Sequence, residues 1–197
     1  AFAIGFNFGL FTSLVKLDMS VEKPGGYRNG SFMSSTNALL LLEELNMRNN
    51  LLARNGDNGN VTTLDLSWQA RLKSLDVQGT GITRLRLATG APIVRLCLPN
   101  TLEELFLEYL TKLPESGLIL EGINNITGYR FVGCPGIDGF SLLEKLHAAK
   151  KAGTGKLERF SIDIDREDDG SLLEKYYEYG TYTSTGATAN RHSRRRG

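Results

Sequence analysis

Residues 61–107 read VTTLDLSWQARLKSLDVQGTGITRLRLATGAPIVRLCLPNTLEELFL, and one short pattern recurs along this stretch. An aliphatic residue stands at a first position i and again at i+3 and i+5, with mostly polar residues between them. Side chains alternate along β structure, so i+3 and i+5 share one side of a short strand and i+4 points the other way. Each copy therefore predicts a strand with one buried face.

The pattern continues outward from this stretch in both directions. Successive starts within it lie 9 to 11 residues apart, whereas alternate starts lie 20 or 21 apart. We therefore predict parallel coils of about 21 residues, each carrying one short strand on either side of a shared core. The copies begin at Leu14, Leu42, Val61, Leu72, Ile82, Ile93, Leu102, Ile126 and Leu157.

The last two copies are 31 residues apart, and the insertion between them has the pattern of a helix. Ser141 is suited to cap its start, and Gly153 is suited to end it. The letters SLLEK at 141–145 recur at 171–175, which predicts a second strand-and-helix unit over 157–179. The apolar stripe of the first helix consists of Leu142, Leu143, Leu146 and Ala149.

Together these patterns predict an α/β repeat solenoid over residues 1–179. Its strands are short and parallel, its helices lie in the C-terminal repeats, and its N-terminal part, 1–41, is irregular. The repeat signal is weak over 20–41 and 108–125. Residues 180–197 have no apolar periodicity and contain four arginines near the end, so we expect a disordered basic tail there.

At this point the sequence resembles the leucine-rich repeat family. The family form Leu-x-x-Leu-x-Leu-x-x-Asn/Cys is matched best at 42–50, which ends in Asn50, and at 126–134, which ends in Cys134. The 21-residue section is similar to repeats of surface and secreted proteins of gut bacteria and their phages, and the longer section to helical repeats of the ribonuclease-inhibitor kind. The resemblance implies an extracellular, cell-surface or virion location, and a Cys134 that hydrogen-bonds the turn backbone.

Composition narrows the function classes. The chain has 197 residues, of which 41% are hydrophobic and 23% charged, so it has room for one globular domain with a sizeable core. Its 23 basic and 22 acidic residues leave a formal charge of +1, so no overall field attracts nucleic acid. No apolar run approaches the roughly 18–20 residues that span a bilayer. The chain begins with Ala1, from which we expect a fragment or a processed chain.

Residues with catalytic chemistry are few. The two histidines are His147, expected on the helix surface beside Lys150 and Lys151, and His192 in the tail. Neither has the base and orienting partner that nucleophilic catalysis needs, so we predict no enzymatic activity and no cofactor. The two cysteines provide neither a disulfide framework nor the spacing of a zinc site.

One acidic run imitates the start of a calcium loop. Asp165, Glu167 and Asp169 alternate and precede Gly170, but the twelfth loop position is Tyr176, where the loop needs a bidentate Glu. We predict a solvated acidic turn that favours the start of the next helix, with a calcium site as the alternative.

The strand positions between the core residues form the exposed face. We expect the pairs on successive strands to lie side by side, about 4.8 Å apart. Phe106 is the one large apolar residue there, with Arg84, Arg86 and Arg130 around it, which is the composition of a binding hot spot. The alternative is that Phe106 packs sideways against a loop. The pairs expected on this face are Glu44/Asn46, Thr63/Asp65, Arg84/Arg86, Glu104/Phe106, Gly128/Arg130 and Arg159/Ser161.

Outside this face, Trp68 is expected to cover the edge of the solenoid, and Cys97 to point away from the core. The function predicted is macromolecular recognition, with a protein as partner and a glycan as the alternative. Two other functions stay open: a structural segment of a larger surface fibre, phage tail or virion protein, and the substrate-recognition part of a larger enzyme. The residues predicted to contact the partner are Asp65, Arg84, Arg86, Glu104, Phe106, Arg130 and Arg159.

Overall fold

The computed structural model describes residues 10–23, 36–50, 63–164 and 180–184, with backbone alone at 36, 163–164 and 180–184. Single turns of 3-10 helix lie at Thr36–Ala38 and Glu115–Gly117. The strands and the helix are β1 Lys16–Asp18, β2 Glu44–Asn46, β3 Thr63–Leu66, β4 Ser74–Asp76, β5 Arg84–Leu87, β6 Arg95–Leu98, β7 Glu104–Glu108, β8 Leu118–Leu120, β9 Gly128–Val132, α1 Gly139–Lys151, β10 Arg159–Ile164 and β11 Gly180–Ser184.

The strands form two sheets in which every described pairing is parallel. The first sheet has the order β1-β2-β4-β6-β8, and the second has the order β11-β10-β9-β7-β5-β3. Between β2 and β9, successive strands alternate between the sheets. The prediction of coils with a strand on either side of a core is therefore confirmed, and the molecule is a parallel β-solenoid.

The core consists of the repeated aliphatic residues, stacked in register. In the first sheet Leu45 pairs with Leu75, and Leu75 with Leu96; in the second sheet Leu64 pairs with Leu85. All five are buried in one apolar cluster that runs the length of the described coils. Burial of a leucine side chain contributes roughly 1.5–3 kcal/mol, so the stack of leucines is the main source of stability.

Backbone hydrogen bonds join each coil to the next where the second-sheet strands begin. The amides of Thr127 and Gly128 both donate to the carbonyl of Glu103, and the amides of Glu158 and Arg159 both donate to that of Thr127. These corners therefore repeat even where the coil length changes.

Strand β8 lies within 108–125, where the repeat signal is weak. It pairs with β6, with Leu96 opposite Leu118. The approach to β8 requires a glycine, because a Cβ on Gly117 would lie 2.2 Å from the carbonyl oxygen of Val94. The chain thus enters the strand through a close backbone contact that the aliphatic spacing does not encode.

Helix α1 is where the sequence predicts it, but it starts differently. The cap is Asp138, whose side chain accepts a hydrogen bond from the amide of Ser141 at 2.9 Å. Gly153, with φ of +75°, follows the end of the helix as expected. His147 was expected on the surface and is buried, with 8% of its area exposed, because it extends the buried stripe of Leu143 and Leu146.

A buried tyrosine fixes the helix to the second sheet. The hydroxyl of Tyr129 in β9 donates to the carbonyl of Gly139 at 2.9 Å. Burial raises the pKa of this hydroxyl well above its ordinary value. A Cβ on Gly139 would lie 2.4 Å from the ring of Phe131, so a glycine is required where the helix begins against the strand.

The segment predicted as a disordered tail begins with a strand. Residues 180–184 form β11, which pairs with β10, with Ile162 opposite Tyr182. The threonines and the tyrosine of this segment suit a strand, and they were passed over because the segment lacks aliphatic repeats. Residues 185–197 and the second predicted helix, 171–179, lie outside the described residues. Within the described ranges, no helix has the length and apolar character needed to cross a membrane.

Candidate recognition surface

The outer side of the second sheet brings together the seven residues predicted to contact a partner. They lie on five adjacent strands, from β3 to β10, and each stands at an outward position beside at least one buried residue. One pair is placed differently from the prediction: Glu44 and Asn46 belong to β2, in the first sheet. We call this surface the recognition face, defined by Asp65, Arg84, Arg86, Glu104, Phe106, Glu108, Gly128, Arg130 and Arg159.

Each arginine of the recognition face has a carboxylate partner on another strand. Arg86 Nη1 lies 3.6 Å from Asp65 Oδ2, and Arg130 Nε lies 2.8 Å from Glu108 Oε1. Glu108 was not singled out in the sequence, although its position two residues after Phe106 in an alternating strand could have indicated it. These pairs restrain the side chains of Arg86 and Arg130, on the two strands beside the one that carries Phe106.

Glu104 is shared by two arginines and lies at the centre of this network. Its carboxylate is 3.4 Å from Arg84 Nε and 2.5 Å from Arg159 Nη2. Arg159 reaches Glu104 across the intervening strand, because Gly128 has no side chain in the way. A Cβ on Gly128 would lie 3.0 Å from Arg159 Nε.

The charges of the face largely cancel. Four arginines face three carboxylates, which leaves one net positive charge. Partial burial acts to raise the pKa of Asp65, but hydrogen bonds from Ser67 and the charge of Arg86 lower that pKa below its ordinary value. The carboxylate is therefore ionised at neutral pH and keeps its partner.

Phe106 is exposed on β7, between the paired carboxylates Glu104 and Glu108. It is in register with Arg130 on β9, and Arg86 lies on the other side, since Arg84 is in register with Glu104. The residue is 38% exposed, so part of it is accessible to a partner. The result is one accessible aromatic ring between two paired arginines.

The outer side of the first sheet is built differently. The side chains of Asp18, Asn46 and Asp76 each accept a hydrogen bond from the amide two residues further on, at 2.9 to 3.1 Å. Cys97 follows in the same row, outside the main apolar cluster but completely buried. Burial raises the pKa of its thiol, which makes it a packed side chain and a poor nucleophile.

Two exposed aromatic residues lie on the turns that follow the second sheet. Trp68, expected to cover the solenoid edge, is 63% exposed, and Tyr109 is 50% exposed. The sequence prediction missed Tyr109. Its signal was its position seven residues after the start of its copy, which is also the position of Trp68.

A metal site would need several His, Cys, Asp or Glu side chains close together. No group of three such residues within the described ranges could hold an ion. The calcium alternative rests on Asp165, Glu167 and Asp169, which lie outside the described residues.

Similarity to known proteins gives no guide to the recognition face, because no protein-family model, curated protein or solved structure matches the chain. The function has to be argued from the surface itself.

Proposed function

We propose that this chain is a leucine-rich repeat protein that recognises another protein through the recognition face, without catalysis. The observation that carries the proposal is Phe106, an exposed aromatic side chain between arginines that are held by carboxylates on neighbouring strands. Aromatic and arginine side chains at the centre of a rigid surface dominate the energy of many protein interfaces.

Two hydrogen bonds support the leucine-rich repeat assignment. Asn50 Nδ2 donates to the carbonyl of Met19 in the preceding coil at 2.9 Å. Cys134 Sγ accepts from the amide of Leu110 at 3.4 Å. Both residues stand where the repeat pattern has its Asn or Cys, and both connect one coil to its neighbour.

The charges of the recognition face favour a protein of mixed charge as the partner and disfavour a polyanion. The arginines already have partners and the face carries one net positive charge, so long-range attraction to a polyanion is weak. A complementary protein surface with an apolar anchor for Phe106 and a polar rim fits this composition. Binding is then expected to depend only modestly on salt.

Site-specific photo-crosslinking tests the location. A benzoylphenylalanine is placed at 106 in one sample and at 94 in a control, in cells that produce the protein natively. Val94 is half exposed and precedes β6 in the first sheet. We expect one protein to crosslink at 106 and not at 94. Equal labelling at both positions would contradict the proposed face, and crosslinks only to further copies of this chain would indicate a structural assembly.

A further inference from the structure

A second surface lies beside the recognition face, on the turns that lead from the second sheet to the first. Trp68 and Arg71 occupy the turn after β3, and Tyr109 and Lys112 occupy the turn after β7. In both turns the aromatic residue is seven residues, and the cation ten residues, after the start of the copy. We call these four residues, with Thr89 of the turn between them, the aromatic arc.

The spacing within the aromatic arc follows from the sheet. Strand β5 lies between β3 and β7, so the two aromatic residues are two coils apart. With strands 4.7–4.9 Å apart, that separation is about 9.6 Å along the solenoid. The turn between them is small and open: Thr89 is exposed, and a Cβ on Gly90 would meet no atom within 4 Å. Among the described residues, the turn between the two aromatic side chains therefore carries only a small side chain at Thr89 and none at Gly90.

The backbone of Tyr109 has an unusual conformation for an exposed aromatic residue. Its φ is +56°, a conformation that is rare for a bulky residue. The next coil has Gly133 at the equivalent position with φ of +61°, which is the unstrained solution. The Tyr109 ring lies over Gly133, where a Cβ would be 2.6 Å from Cδ1. Strain of this kind, on an exposed aromatic side chain, is characteristic of binding sites.

The cations of the aromatic arc differ from those of the recognition face. Both Arg71 and Lys112 are exposed, and neither forms an ion pair with any residue that the structure describes. The arc therefore offers two positive charges that no described residue neutralises, each spaced like its aromatic ring.

We propose that the aromatic arc binds an extended acidic polysaccharide, with one disaccharide and its carboxylate for every two coils. The C–H face of a pyranose ring packs against an aromatic ring, and an extended chain turns the same face outward once in each disaccharide. That repeat is close to the separation of alternate coils. Carboxylates on alternate sugars then meet Arg71 and Lys112 as charge-assisted hydrogen bonds.

Single-stranded nucleic acid also combines stacking with negative charge, and the geometry disfavours it. Successive bases are closer together than the two aromatic rings, and an electrostatic groove for a phosphate backbone uses more cations than two. This occupant is one outcome of the test below.

Calorimetric titration with a hyaluronan octasaccharide, in which every second sugar is a uronate, tests the proposal. Chitohexaose serves as the neutral probe and an eight-residue oligothymidylate as the nucleic acid probe. We expect hyaluronan to bind, binding to weaken as salt is raised, and the other two probes to bind at least about tenfold more weakly.

The variants separate this surface from the recognition face. Trp68→Ala and Tyr109→Gly should each raise the Kd for hyaluronan about tenfold or more, and Tyr109→Gly removes the backbone strain, so it is expected to fold. Tyr109→Asn, which also tolerates a positive φ, provides a second variant. Arg71→Gln and Lys112→Gln should each raise the Kd about threefold. Phe106→Ala, on the recognition face, and Lys145→Gln, on α1, should leave it unchanged.

Four results would overturn the proposal. They are no binding of hyaluronan at millimolar concentration, equal binding of chitohexaose, preference for oligothymidylate, and a Kd that Trp68→Ala and Tyr109→Gly leave unchanged. Failure here would leave the protein-binding proposal standing, because that proposal depends on Phe106 and not on these turns.

Discussion

On the first sheet, three short side chains near the strand ends bond to their own backbone, and Lys16 and Glu44 form an ion pair across strands. On the second sheet, four arginines pair with carboxylates on other strands around Phe106. Asp76 accepts from the amide of Gln78, and Cys97 is buried; Arg86 and Arg159 extend to carboxylates on neighbouring strands. The same core pattern therefore carries two different surfaces. Packing determines the inward residues of both sheets, and among the described residues it is the second sheet that has four paired arginines around an exposed aromatic ring.

Replacing a core leucine should cause the largest loss of stability, and the loss should be equal on the two sheets. Leu75 in the first sheet and Leu105 in the second are both fully buried. Replacing either with Ala should lower the free energy of unfolding by about 3 kcal/mol, through lost transfer energy and the cavity that remains. Urea denaturation of both variants measures this. A loss below about 1 kcal/mol for only one of them would mean that the sheets do not share one core.

The second sheet has two further strands, β10 and β11, after the alternating strands end at β9. At this end the sheet is joined to α1 by the hydrogen bond from Tyr129 to Gly139. Tyr129→Phe removes the hydrogen bond to Gly139 and should cost about 1 kcal/mol. Hydrogen exchange should accelerate at the start of α1 and remain unchanged in β2 and β4 of the first sheet. Equal acceleration in both sheets would contradict a local link between helix and sheet.

Replacing Gly128, which lies beside the Arg159 side chain, should lower the free energy of unfolding by less than the changes above. Gly128→Ala places a methyl group against the guanidinium and should displace it from Glu104. Arg159 is exposed and Glu104 is half-buried, so the loss should be at most about 1 kcal/mol. The double variant with Arg159→Gln should lose little more than Arg159→Gln alone, as a double-mutant cycle would show. Fully additive losses would indicate that Gly128 does not act through Arg159.

Replacing Asp18 on the first sheet should have the smallest effect on the free energy of unfolding, and this effect should depend on pH. The hydrogen bond from the amide of Ser20 lowers the pKa of Asp18 below its ordinary value. Its contribution is therefore complete above the unfolded pKa, about 3.9, and is lost as the pH falls through the folded value. Because Asp18 is exposed, Asp18→Asn should cost well under about 1 kcal/mol at pH 7, and the difference from the parent should shrink by pH 3. A difference that grows as the pH falls would contradict this sign.

Much of the fold could be predicted from the sequence, because the core repeats. The aliphatic spacing identified β1 to β7, β9 and β10, and helix α1 followed from its apolar stripe. Strand β8 was missed because Gly117 and a close backbone contact determine the path there. Strand β11 was missed because Thr and Tyr stabilise a strand edge without the aliphatic pattern. His147 was misplaced because the buried stripe of α1 includes a residue that is usually half exposed.

The candidate surface could be predicted less fully. Alternation placed Phe106 and the arginines on one face, but spacing alone assigned Glu44 and Asn46 to the wrong sheet, because the pattern is the same on both sides of a coil. The ion pairs of Glu104 depend on which strands are neighbours, and that depends on the coil closing. Tyr109 was missed because its exposure and positive φ are properties of the turn and not of the repeat.

The affinity of Phe106→Ala for the protein captured at position 106 tests the central claim most directly, with Val94→Ala of the first sheet as the matched control. Both residues are exposed and apolar; Phe106 lies on β7 of the second sheet, and Val94 comes directly before β6 of the first sheet. We expect Phe106→Ala to weaken binding by about 2 kcal/mol, which is close to a thirtyfold increase in Kd, and Val94→Ala to leave it unchanged. Equal losses, or a Phe106→Ala variant that binds as tightly as the parent, would contradict recognition through the second sheet.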